Sequence, residues 1–138
     1  MRAKYWIAGS RAEAGSKLEA TYKLIKVVLE RFGYANGGTP LERLPGSYTD
    51  KKRYDQIMEL VVRADVVIGV LSQAQPSVMA AAEIAVAQMT GRHVLLVWDI
   101  TDMPTSTFTW SSTSRFGFSN LDSLEKQLAS YLASVVGQ

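Results

Sequence analysis

Cysteine is absent from this chain of 138 residues, and histidine occurs once, at His93. The first absence excludes a disulfide framework and thiolate chemistry, and the two together remove the usual ligands of a zinc site. Charge of one sign is also scarce. Fifteen Lys and Arg stand against 13 Asp and Glu, a net +2, and the basic residues are dispersed, so no stripe for a nucleic-acid polymer is expected. No apolar run approaches the roughly 20 residues of a membrane span. The apolar piece at residues 5–8, behind Arg2 and Lys4, is too short for a signal peptide, which leaves the cytoplasm as the expected location. With 47% apolar and 20% charged residues, the composition suits one globular domain over residues 1–138. Glu19 with Lys23, and Lys26 with Glu30, have helical i,i+4 spacing and read as a solvated face.

What is present centres on residues 64–99. Val66, Val67, Ile68, Gly69, Val70 and Leu71 form an aliphatic run without polar alternation, which suits a strand buried on both faces. A second run spans residues 93–98. Between them residues 76–90, rich in Ala and Met, read as a helix with Pro76 near its first turn and Gly91 past its end. From Val66 to Gly91 the one side chain that ionises near neutral pH is Glu83, set among Ala80, Ala81, Ala82, Ala85, Val86 and Ala87. A carboxylate on a helix buried against a sheet is costly unless something uses it.

Around this unit, residues 4–8 read as a first strand, broken at Gly9-Ser10. Leu18, Tyr22, Ile25, Val28, Leu29 and Phe32 recur every three or four residues, predicting an amphipathic helix over 17–32 that Gly33 stops. A weak strand near Tyr34 precedes a long loop rich in Gly and Pro. Asp50 is a plausible cap for a helix over 51–63 with Tyr54, Ile57, Val61 and Ala64 on its inner face. After Trp98 comes a Ser/Thr-rich segment containing Phe108 and Trp110, then a strand candidate at 115–118 and a helix over 121–136 capped by Asn120 or Ser119. The alternation predicts an α/β fold: a three-layer, doubly wound, flavodoxin- or Rossmann-like architecture with a parallel sheet of four or five strands. In such sheets ligands bind beyond the carboxyl ends of the strands. The loops after Ala8, Leu71 and Trp98 should therefore share one rim.

With those loops placed, four pieces of sequence resemble the nucleoside 2-deoxyribosyltransferase-like family, and within it the small 2'-deoxynucleoside 5'-monophosphate N-glycosidases. They are YWIAGS, RADVVIGVLSQAQPS, the segment PSVMAAAE in which Glu83 lies six residues after Ser77, and RFGFSNLDSLEKQLASYL. The resemblance implies that Glu83 is the nucleophile attacking the anomeric carbon as the base leaves. It implies that Gly9, Ser10, Arg11 and Ser77 receive the 5' end of a nucleoside or nucleotide, and that Tyr5 or Trp6 stacks on the base. Only one of the two can face the site, since neighbours on a strand face opposite ways, and Tyr5 is taken as the candidate. It further implies no cofactor and no metal, and a homodimer or larger assembly whose neighbouring subunit donates a wall from residues 101–115, with Ser106 and Ser114 as contacts.

The sequence departs from the family pattern twice. The family's helix aspartate, eight residues before the position of Asp65, is Ile57 here; Asp55 is the nearest acid, turned roughly 200° away around the helix. The family's glycine-rich approach to the acid is Met79-Ala80-Ala81-Ala82. Cleavage or transfer at an N-glycosidic bond therefore stands beside two alternatives: an inactive nucleotide-binding or signalling module of the same fold, and an N-glycosidase acting on NAD-like or cyclic nucleotides. Several features also have plain structural readings. Ser77 suits a helix cap, Asp65 a strand start, and Tyr54 the core.

Overall fold

The computed structural model describes residues 2–42, 51–74, 77–102 and 114–136. Five strands, β1 (Lys4–Ala8), β2 (Ala35–Asn36), β3 (Val66–Leu71), β4 (His93–Asp99) and β5 (Ser114–Phe118), form one all-parallel sheet in the order β2-β1-β3-β4-β5. The helices are α1 (Lys17–Arg31), α2 (Lys51–Arg63), α3 (Val78–Met89) and α4 (Leu121–Val136). This is the predicted α/β alternation, with the fifth strand present and with Asp99 and Ser114 added to β4 and β5. The order 2-1-3-4-5 is the flavodoxin-like one, whose strand order reverses between β1 and β3.

Two apolar layers fill the space on either side of the sheet. On one face Tyr5, Ile7, Ile68, Val70, Leu95 and Val97 pack against Tyr22, Ile25 and Leu29 of α1 and Leu124, Leu128 and Leu132 of α4. On the other, Trp6, Ala8, Val67 and Leu96 meet Val61 of α2 and Ala80, Ile84 and Ala87 of α3. The split obeys strand alternation, and continuous apolar runs are what a strand covered on both faces requires. Gly69 lets α3 sit close, because a Cβ there would stand 2.7 Å from Ile84 Cδ1 and 2.9 Å from Leu96 Cδ2.

Caps follow the expected chemistry. Asn120 Oδ1 accepts from the Ser123 amide at 2.8 Å, choosing Asn120 over Ser119, and Ser16 Oγ accepts from Glu19 N at 3.1 Å. Asp65 is structural. Its carboxylate accepts from Lys4 N and its amide donates to Lys4 O, both at 2.8 Å, tying the starts of β1 and β3. On the inner face of α2, Val61 is buried and Tyr54 and Ile57 are half-buried. Glu19 and Lys23 pair as spaced, at 3.3 Å. The expected Lys26–Glu30 pairing is not adopted: Lys26 lies 3.7 Å from Glu42, while Glu30 accepts from the Tyr5 hydroxyl at 3.2 Å. The tyrosine's burial, and then that carboxylate, raise its pKa well above the usual phenol range. Asp50, the expected α2 cap, lies outside the described residues.

The turn after β1 is pinned from α1. Tyr22 donates its hydroxyl to Ser10 O at 2.6 Å, and a Cβ on the buried Gly9 would fall 2.1 Å from that hydroxyl oxygen. Gly9→Ala should destabilise the protein by about 1–3 kcal/mol through overpacking, and Tyr22→Phe by about 1–2 kcal/mol through the lost hydrogen bond. Because the second change removes the atom the first collides with, the double variant should lose less than the sum. Urea unfolding of the four proteins measures this, and simple additivity would contradict it.

Candidate active site

Helix α3 begins where Ser77, in extended conformation, caps it by accepting from Ala80 N at 3.1 Å. From that start Ala80, Glu83, Ile84 and Ala87 form the stripe facing the sheet, so Glu83 points inward. It is fully buried, at 0% exposure, and its Oε1 accepts from the indole Nε1–H of Trp6 at 2.7 Å. Trp6 is itself 2% exposed. The hydrogen bond spans the seam between β1 and α3 and supplies part of the solvation that a buried carboxylate loses.

The other site candidates are distributed unevenly. Tyr5 is turned away from Glu83 by strand alternation: it lies in the opposite layer, fully buried, and bonded to Glu30. Trp6, weighed beside it, is the aromatic that meets the acid. Gly9 and Ser10 sit at the carboxyl end of β1, Ser10 half-buried, and Arg11 is exposed beyond them. Asp55 is exposed on α2 and paired with Lys51 at 2.8 Å, so it is not brought to Glu83. Ile57, at the family's aspartate position, packs partly buried against the Trp6 layer. Ser114 opens β5 in register with Leu95, some way from the carboxyl rim. Ser106, Phe108 and Trp110 lie outside the described residues.

The three loops do share one rim, as the parallel order requires. Asp102, a residue that sequence reasoning passed over, knits it together: its carboxylate accepts from Ser72 Oγ at 2.5 Å, Gln73 N at 2.9 Å and Ala74 N at 2.8 Å. The available signal was a third-position acid just past a strand end, in Asp99-Ile100-Thr101-Asp102. Asp99 Oδ1 accepts from both the hydroxyl and the amide of Thr101, at 2.7 and 2.9 Å, and Lys17 Nζ lies 3.6 Å from its other oxygen. The Thr101 hydroxyl, then its amide, and then Lys17 hold the Asp99 pKa below the usual carboxylate range. A cleft of about 330 Å3 opens beside these groups, lined among others by Ser16, Lys17, Ser72, Asp99, Asp102 and Phe118. Phe118 belongs to the layer under α1 and α4, so the cleft and Glu83 lie on different faces of the sheet. Among the described residues no three His, Cys, Asp or Glu side chains gather as a metal site, and no helix is long and apolar enough to cross a membrane.

Solved structures share this architecture. The CMP N-glycosidase of Clostridium botulinum superposes with a TM-score of 0.66 at 15% identity, covering 93% of this chain and 99% of that one. The 2-deoxyribosyltransferase of Bacillus psychrosaccharolyticus gives 0.63 at 18% identity, covering 91% and 96%. That of Leishmania mexicana gives 0.64 at 16% identity, covering 96% and 99%. The fold is that of N-glycosidases and deoxyribosyltransferases. No protein-family model and no curated protein matches the sequence. At these identities the likeness extends to architecture over nearly the whole chain and leaves residue roles to the chemistry of the site.

Two measurements check the rim. Asp102→Ala should cost about 1–3 kcal/mol and speed amide exchange at Gln73 and Ala74, whose acceptor it removes. For Asp99 the folded carboxyl titrates below its unfolded value of about 3.9. Its hydrogen bonds therefore stabilise the fold above that value, and the contribution is lost as pH falls through the lower, folded pKa. Thr101→Val should destabilise by about 0.5–1.5 kcal/mol near neutrality. The deficit should shrink as Asp99 protonates, and a deficit constant down to acid pH would contradict this origin.

Proposed function

We propose that this protein cleaves, or transfers at, the N-glycosidic bond of a 2'-deoxynucleoside or its 5'-monophosphate, with Glu83 as the nucleophile. The observation that carries the reading is a buried carboxylate on the inner face of α3, held by an indole N–H. The fold is shared with enzymes named for this chemistry. In the reaction a Glu83 oxygen bonds to the anomeric carbon as the bond to the base nitrogen breaks. The base leaves with the bonding pair and takes a proton from water. The hydroxide so formed displaces Glu83 from the sugar in hydrolysis; in a transfer it takes the N–H proton of a second base, which displaces Glu83 as water is regenerated. The transition state resembles an oxocarbenium ion, which a fixed carboxylate stabilises. Gly9, Ser10, Arg11 and Ser77 are proposed to receive the 5' end and a neighbouring subunit to complete the pocket, in an assembly of identical chains.

A second reading has its own observation. Ile57 replaces an acid, Asp55 is engaged with Lys51 at the surface, and Glu83 has no exposed area, so a substrate reaches it only after the groups around it part. Those features suit a nucleotide-binding module without catalysis.

Release of free base from deoxyribo- and ribonucleosides, their 5'-monophosphates, NAD and cyclic nucleotides separates these readings. Glu83→Gln retains an acceptor for Trp6 and should fold like the parent. Both it and Glu83→Ala should lose more than about a thousandfold in base release. No release from any substrate by the parent protein, with nucleotide binding that survives Glu83→Gln, would establish the binding module instead. Release from NAD or cyclic nucleotides alone would reassign the substrate.

A further inference from the structure

Trp6 has contacts at both ends of its indole. The Nε1–H donates to Glu83 Oε1 at 2.7 Å. The far edge of the ring runs beneath Gly38, where a Cβ would stand 2.4 Å from Cζ3 and 2.8 Å from Cε3. Gly38 has φ +149°, backbone that an L side chain rarely takes. The segment that brings Gly38 there is lashed to β1 on both sides of Trp6: Gly37 N–H donates to Tyr5 O at 2.9 Å, and Ile7 N–H donates to Gly38 O at 3.0 Å. Beyond it the chain is braced again. Thr39 is fully buried and accepts from Leu41 N at 3.1 Å, and Glu42 accepts from Asn36 Nδ2 at 2.6 Å.

We propose that Trp6 is the positioning residue for the Glu83 carboxylate, and that Gly38 acts through it by fixing the plane of the indole. The proposal rests on the reading of Glu83 as nucleophile and extends it to residues that need touch no substrate. An indole N–H donates and never accepts, and it exchanges no proton with a carboxylate in water's pH range. It therefore orients Glu83 without competing for a proton. A ring held at both ends has one orientation available, so the carboxylate is pre-set before substrate arrives. The Gly37–Gly38 pair, which sequence reasoning read as part of a long loop, thereby becomes a clamp on the site.

The test uses the full chain and two independent readouts. The protein has three tryptophans, so three indole N–H resonances are expected, and Trp6→Phe identifies the one belonging to Trp6. That resonance should shift upfield in Glu83→Gln, where an amide replaces the carboxylate as acceptor, and should move again in Gly38→Ala, while the signal of Trp98 stays in place. In base release, replacing Trp6 with benzothienylalanine, which keeps the ring shape and deletes the donor, should lower kcat by about ten- to a hundredfold with KM nearly unchanged. Gly38→Ala should lower kcat in the same sense by about tenfold, with far-UV circular dichroism confirming the fold. A Trp6 resonance indifferent to Glu83→Gln, or parental kcat in the isosteric variant, overturns the proposal. A resonance that responds as expected in a protein that releases no base refutes the catalytic reading while leaving the Gly38–Trp6–Glu83 coupling established.

Discussion

Because β1 pairs in parallel with β3 while its own crossover leads the other way to β2, right-handed connections put α1 and α3 on opposite faces of the sheet. The surroundings of Glu83 descend from that reversal. Successive residues of β1 are dealt alternately to the two layers, Tyr5 and Ile7 to α1, Trp6 and Ala8 to α3. The side that receives Trp6 is the side on which α3 presents Glu83. The two meet in the interior of that layer, between β1 and α3.

The Trp6 layer is built around small residues. Ala80 and Ala87 flank Glu83 along the helix, and Gly69 leaves room beneath Ile84 of the same helix, so α3 approaches closely enough for a carboxylate to reach a strand side chain. In that surrounding an unsolvated acid is expensive, and a hydrogen bond of 2.7 Å from a permanent donor offsets part of the cost. The opposite layer contains most of the large buried aliphatics together with Tyr5, Tyr22 and Tyr34, and it supplies the bulk of the apolar burial. The buried carboxylate and the larger apolar cluster thus lie on opposite faces of the sheet.

The carboxyl rim is organised by a different device, short-range hydrogen bonding to two aspartates. Asp99 folds the chain back at Thr101, which delivers Asp102 to the three donors at residues 72–74. The loop leading toward the capping residue of α3 is thereby tied to the strand next door. Lys17 at the start of α1 joins the same group through Asp99.

The elements themselves were legible in the sequence because each is encoded locally: apolar runs for buried strands, three- and four-residue spacing for α1 and α4, Ser77 and Asn120 as caps, glycine after helix ends. Glu83 was legible as well, as the lone acid in an apolar helix. What the sequence by itself determined is therefore the parallel α/β architecture and one inward carboxylate. Only the tertiary structure decided which neighbours that carboxylate has. Choosing Trp6 over Tyr5 requires the strand order, since alternation separates the two residues without saying which layer receives α3. Asp102 and Gly38 escaped for the same reason: their partners lie 28–30 and 32 residues away in the chain, and contacts at that separation are made by packing, which no local pattern records.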